Sequence, residues 1–226
     1  MRFLNEMIQI PVCTFIFIWV YAVNVSAGEI KGVVLFSPQS VKTQARQTMP
    51  RYPHGKSREL PMHGIGNTTQ AVVYITGKFP DSTFSTPDTQ PIMDQRDEQF
   101  IPYILPVLAG TTVNFPNNDR VYHNIFSFSK AKTFDLGKYP TKTSKKVKFD
   151  QTGVVKVYCE IHAHMNAFIL VLPNPYYSVV NQDGKFSIPD VPAGTYQLKI
   201  FTGRGTESEK KIIVNDNRTT LVEFSL

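Results

Sequence analysis

Gly153-Val154-Val155-Lys156-Val157-Tyr158-Cys159-Glu160-Ile161-His162-Ala163-His164-Met165 is the stretch on which the fold turns. Its first half alternates. Val155, Val157 and Cys159 fall on one face and Lys156 and Tyr158 on the other, the period of a half-buried strand. Its second half drops that period and spaces three soft donors as Cys-x2-His-x2-Met. A cysteine on the inward face at the end of a strand suits a following loop that wraps around an ion. Thiolate, imidazole and thioether together favour copper over harder cations. Two imidazoles and one thiolate with a weak axial thioether mark an electron-transfer copper centre. In a chain with five histidines, His and Met fall at these two offsets by chance about once in 2000.

The motif lacks one imidazole, and His123 supplies it. His123 opens a strand in Asp119-Arg120-Val121-Tyr122-His123-Asn124-Ile125-Phe126, after Gly110-Thr111-Thr112-Val113-Asn114-Phe115. The bland alternative for Cys159 is a buried free thiol acting as a small hydrophobe. A second spacing, Cys159-x4-His164, is also open. Met165 is adjacent to His164 and could not easily share an ion with it, so His162 is retained. Asn124 follows the first histidine directly.

Both segments resemble the cupredoxins, in GTTVNFPNND…HNIFSFS and GVVKVYCEIHAHMNAFILV. The spacing is that of the short, amicyanin-like ligand loop. A closer resemblance is to bacterial exported proteins described as methylamine utilization or cupredoxin-like, through Met93-Asp94-Gln95, Gln99-Phe100, Phe115-Pro116-Asn117 and Ser127-Phe128-Ser129. The resemblance implies one copper ion with His123, Cys159 and His162 equatorial and Met165 axial. It implies that Asn124 ties the two ligand loops together, and that His162 is the electron port, with Ala163 and His164 part of the same surface. His164 departs from a position often aromatic in these proteins. It is expected to be exposed, either with a pH-sensitive part near the site or with no part at all.

Residues 1–27 read as a secretory signal: Arg2, an apolar run from Ile10 to Val23, and Val25-Ser26-Ala27 before a cleavage point at Gly28. The run is shorter than the roughly 18–20 residues that span a bilayer, although an uncleaved anchor is the alternative. The mature chain then has no transmembrane segment and is periplasmic or secreted. Cleavage removes Cys13 and Trp19 and leaves Cys159 as the only cysteine. A lone cysteine in an oxidising compartment needs a reason, and metal ligation is one. The formal charge is +6. Lys130, Lys132, Lys138, Lys142, Lys145, Lys146 and Lys148 face only Asp135. Such a surface suits a redox partner with an acidic face, or simply keeps the protein soluble. The leader argues against nucleic acid.

After residue 28 the chain reads as all-β, short strands punctuated by Gly, Pro, Asn and Asp. Strands are expected at Gly28–Leu35, Ala71–Thr76, Phe100–Leu108, Thr111–Phe115, Val121–Phe128, Lys145–Phe149, Val154–Cys159, Ala167–Leu172, Tyr196–Phe201, Lys211–Val214 and Thr220–Ser225. Turns are expected at Asn181–Phe186 and Pro189–Tyr196. Residues 37–70 read as a long loop whose Met49, His54, Met62 and His63 could meet metal. DGKFSIPDVPAGTYQLKI resembles the transthyretin-like, carboxypeptidase-regulatory sandwich. The expected architecture is a cupredoxin Greek-key β-sandwich at 80–173 and a second, transthyretin-like sandwich from 174–226. The strands within 28–79 are expected to complete that second sandwich, so that the copper domain is an insertion. Tandem order is the rival.

Four functions compete. A periplasmic carrier of electrons leads, and a carrier or chaperone that delivers copper is the alternative. An enzyme with Cys159 as nucleophile lacks an identifiable orienting residue. An interaction module is compatible with the first.

Overall fold

The computed structural model describes residues 27–36, 71–77, 79, 84–86, 88–203 and 206–226, and every regular element among them is a β-strand. Of the expected leader over 1–27 only Ala27 is described, as the first residue of the opening strand, and the rest of it and the 37–70 loop with Met49, His54, Met62 and His63 lie outside the described residues. No helix among the described residues is long and apolar enough to cross a membrane.

The chain opens with β1 (Ala27–Leu35) and β2 (Val72–Thr76). Next come β3 (Asp94–Arg96), β4 (Gln99–Ile101), β5 (Ile104–Leu108), β6 (Thr111–Pro116) and β7 (His123–Ser129). They are followed by β8 (Lys132–Tyr139), β9 (Ser144–Phe149), β10 (Gly153–Cys159) and β11 (Asn166–Leu172). The last strands are β12 (Tyr177–Val179), β13 (Lys185–Pro192), β14 (Gly194–Phe201), β15 (Thr206–Val214) and β16 (Thr219–Ser225).

The central strands form one sandwich. A five-stranded sheet in the order β5-β11-β10-β7-β8 faces the β6–β9 pair, to which the β3 segment is bridged at Ile92–Asn114 and Gln95–Asn117. Val113, Phe115, Ile125, Phe149, Val155, Val157 and Ile169 fill the space between the sheets and are fully buried. β10 follows the expected alternation: Val155, Val157 and Cys159 point into this core, while Lys156 and Tyr158 are only half-buried.

Strands from both ends of the chain build a second sandwich. β13-β1-β16 is one sheet and β12-β2-β14-β15 the other. β1 is antiparallel to β13 and parallel to β16. Between them lie Ile30, Val73, Ile75, Ile188, Leu198, Ile200 and Phe224. A third apolar layer joins the two sandwiches, with Val72 and Tyr74 of β2 and Phe201 of β14 against Ile104, Phe168, Leu170 and Leu172. β11 is therefore buried on both faces, which is why its sequence is a continuous apolar run rather than an alternation. Each large side chain it buries contributes about 1.5–3 kcal/mol.

Several boundaries differ from expectation. Phe100–Leu108 is two strands that join different sheets, β4 pairing with β3 and β5 with β11, with Pro102 and Tyr103 between them. β7 starts at His123 rather than Val121, leaving Val121 and Tyr122 exposed before it. β3, β8, β12 and β13 have no expected counterpart. The expected turn over Pro189–Tyr196 shrinks, since Pro189 and Pro192 lie within β13. β13 is an edge strand, where a missing N–H breaks few ladder bonds.

Candidate metal centre

β7 and β10 are neighbours in the five-stranded sheet, with Cys159 opposite Ile125. His123 begins one strand and Cys159 ends the other, so antiparallel pairing brings them to the same end of the sandwich. The loop from β10 to β11 then carries His162 and Met165 back over that end. It is cinched by two backbone bonds: Met165 N–H donates to the His162 carbonyl at 2.9 Å, and Cys159 N–H donates to the Met165 carbonyl at 3.1 Å.

Three donor atoms face one another. Cys159 Sγ lies 3.6 Å from His123 Nδ1 and 3.8 Å from His162 Nδ1, and the two nitrogens are 3.0 Å apart. His123 is 0% exposed, Cys159 4% and Met165 1%, whereas His162 is half-buried and reaches the surface. A transition-metal ion bound at about 2.0 Å to imidazole and about 2.3 Å to thiolate, with about 120° between the bonds, would hold N and S about 3.7 Å apart. Both N–S separations match that figure, and the shorter N–N separation corresponds to a narrower angle between the imidazoles. Among the described residues these three form the His/Cys cluster able to hold an ion. Met165 shares the apolar core with Cys159, and a thioether added to two imidazoles and a thiolate is a copper-selective donor set.

Burial holds the His162 pKa below the ordinary imidazole value. Glu98 and Asp119 oppose that shift, and His123 and His164 reinforce it. Asn124 Nδ2 donates to Glu160 Oε2 at 3.3 Å, and Glu160 N–H donates to the Asn124 carbonyl at 3.3 Å. Asn124 Oδ1 is buried with no partner among the described residues. Ala163 and His164 are exposed, and His164 Nε2 stands 3.5 Å from Glu98 Oε2.

Two features had no signal in the sequence. Asp119 Oδ2 lies 2.7 Å from His123 Nε2, on the far side of the ring from Cys159. Gln95, fully buried, donates from Nε2 to the Tyr139 hydroxyl at 2.6 Å and to the Pro116 carbonyl at 2.9 Å. The Tyr139 hydroxyl donates in turn to the Phe115 carbonyl at 3.1 Å. Burial raises the Tyr139 pKa strongly; Gln95 lowers it and the nearby Cys159 raises it further. Either side chain could be foreseen only by knowing which distant loop it meets.

The solved structures this chain is similar to include cupredoxins and a copper enzyme. One is a copper-containing nitrite reductase from Thermus scotoductus SA-01, 22% identical, covering 37% of this chain and 22% of that chain, with TM-score 0.36. Another is a purple cupredoxin from Nitrosopumilus maritimus, 28% identical over 38% of this chain and 100% of that chain, with TM-score 0.33. A third is the reduced form of an amicyanin variant, 17% identical over 44% of this chain and 98% of that chain, with TM-score 0.36. This chain thus spans 22% of the length of the nitrite reductase. No protein-family model matches the chain, and no curated protein matches it.

Proposed function

We propose that this protein is an exported electron carrier with one mononuclear copper ion, which His123, Cys159, His162 and Met165 would hold. The convergence of His123 Nδ1, Cys159 Sγ and His162 Nδ1 within 4.8 Å at one end of a rigid sandwich carries the reading. When bound, the ion supplies a one-electron Cu(II)/Cu(I) couple. The protein's part is to hold the donors in one arrangement for both states, so that little rearrangement accompanies transfer. His123 and Cys159 sit on paired strands, and the loop between Cys159 and Met165 is closed at its neck, so none of the donors is free to drift. Burial of Cys159 keeps water and stray oxidants from the thiolate. His162 alone of the three reaches solvent, which makes it the port for a partner.

The same burial weighs against delivery of copper, because a donor site must pass its ion through an accessible face. Lys130, Lys138, Lys142, Lys146 and Lys148 are all exposed, in keeping with a redox partner whose surface is acidic. In this reading residues 80–173 are the copper-binding unit, set between the strands of a transthyretin-like sandwich that docks it. Cu(II) added to the purified apoprotein should give an intense visible thiolate-to-copper band that Cys159→Ser abolishes, with reversible one-electron reduction. Colourless, readily exchanged copper would overturn the proposal in favour of copper handling.

A further inference from the structure

We infer that Asp119, held by the turn between β3 and β4, is the positioning residue for His123: it fixes the ring tautomer that presents Nδ1 to the ion and sets a negative charge behind the ligand. The inference rests on the copper reading above and adds how this chain tunes the site.

The His123 ring is enclosed, and its Nε2 is 2.7 Å from Asp119 Oδ2, where the Asp side chain is itself 11% exposed. A carboxylate can only accept, so the ring donates from Nε2 and a neutral imidazole is left with its lone pair on Nδ1. That is the nitrogen 3.6 Å from Cys159 Sγ. A carboxylate on the outer nitrogen of a ligating histidine fixes its orientation and raises its basicity.

What holds Asp119 is as specific as what it holds. Its Oδ1 accepts the Asp97 N–H at 2.6 Å and its Oδ2 the Glu98 N–H at 3.0 Å. Asp97 and Glu98 both have φ of 53°, the paired left-handed conformation of a tight hairpin turn, and this aims both amides at one acceptor. The strand leading into that turn is fastened to the Asn117–Asp119 loop. Asn118 N–H donates to the Gln95 carbonyl at 3.0 Å, Asn118 Nδ2 to Asp94 Oδ1 at 2.7 Å, and Asp119 N–H to Asn117 Oδ1 at 3.0 Å. The chain of contact runs from turn amides to carboxylate to imidazole, so the β3–β4 hairpin preorganises His123 through Asp119.

A charge beside one ligand favours the higher-charged Cu(II) over Cu(I). Replacing Asp119 should therefore weaken Cu(II) binding more than Cu(I) binding. A tenfold difference between those losses reads as a rise of about 59 mV in a one-electron potential.

The test uses the full chain and two variants. In 15N-labelled apoprotein, long-range proton–nitrogen correlations should show His123 protonated at Nε2. Asp119→Asn keeps an acceptor but not the charge, so the tautomer should persist while the potential of the copper form rises. Asp119→Ala loses both, mixing the tautomers and lowering Cu(II) affinity by about 10–100-fold. A wild-type His123 protonated at Nδ1 overturns the inference whatever copper does. So does a folded Asp119→Ala protein with unchanged affinity and potential. A wild-type chain with the Nε2–H tautomer but no coloured copper complex overturns the electron-transfer reading instead, because the tautomer is read without metal.

Discussion

At the scale of single residues, Met165 separates a ligand from a filler. It is 1% exposed in the core it shares with Cys159, and a methionine there could serve packing alone. Met165→Leu nearly conserves volume and should change apoprotein stability by less than about 1.5 kcal/mol. In the proposed role of a ligand it would also tune the couple, so the copper form of the variant should keep its visible band and shift its potential in voltammetry. An unmoved potential would reduce Met165 to packing. Tyr139→Phe asks a different question. It removes the hydroxyl that accepts from Gln95 and donates to the Phe115 carbonyl, in a core where Gln95 Oε1 already lacks a partner among the described residues. Denaturant unfolding should show a loss of about 1–2 kcal/mol. His123, Cys159, His162 and Met165 were legible in the sequence because soft donors are scarce and their spacing is improbable by chance. Asp119 was not, because an aspartate in an Asn-rich loop looks like any turn residue until Asp97 and Glu98 are folded onto it.

Among the elements, legibility followed the strength of the alternating pattern. β10 is legible face by face, since Val155, Val157 and Cys159 alternate with Lys156 and Tyr158. β8 was missed because it is the edge of its sheet, where only Tyr139 is fully buried and Lys132, Asp135, Gly137 and Lys138 read as a solvated stretch. The β3–β4 hairpin was missed because its turn, Asp97-Glu98, has positive φ without glycine or asparagine, and so carries none of the usual hairpin signal. β1 shows how tightly two elements can approach. It is the middle strand of its sheet, and a Cβ on Gly32 would lie 2.0 Å from the Val222 carbonyl oxygen and 2.5 Å from the Phe186 ring. Neither the backbone of β16 nor a buried aromatic can move aside cheaply. Gly32→Ala should therefore lower stability by about 1–3 kcal/mol, the usual penalty of overpacking, visible as a lower midpoint in thermal unfolding.

For the whole molecule, the question is how far the two sandwiches are separable. β2 ends at Thr76 and β12 starts at Tyr177, and the two strands pair with Tyr177 opposite Tyr74, so the ends of the intervening segment emerge side by side. Excising residues 80–173 and closing the gap with a short linker should leave a folded β-domain, measurable by circular dichroism and amide dispersion. That remnant should self-associate in sedimentation, because Val72, Tyr74 and Phe201 lose the cover of Ile104, Phe168, Leu170 and Leu172. An unfolded remnant would sink the proposed division. The pairing of β1 has one more consequence. Its neighbours are β13 and β16, and Leu226 N–H donates to the Leu35 carbonyl. A chain made amino end first must therefore carry β1 with a bare edge until β16 has been made, whereas β7, β10 and β11 have all their partners much sooner. The birth order of the parts follows from this: the central sandwich completes its pairing before the outer sheet does. Without β16 the open edge of that sheet would be β1, its nine-residue central strand, and a bare strand edge invites aggregation.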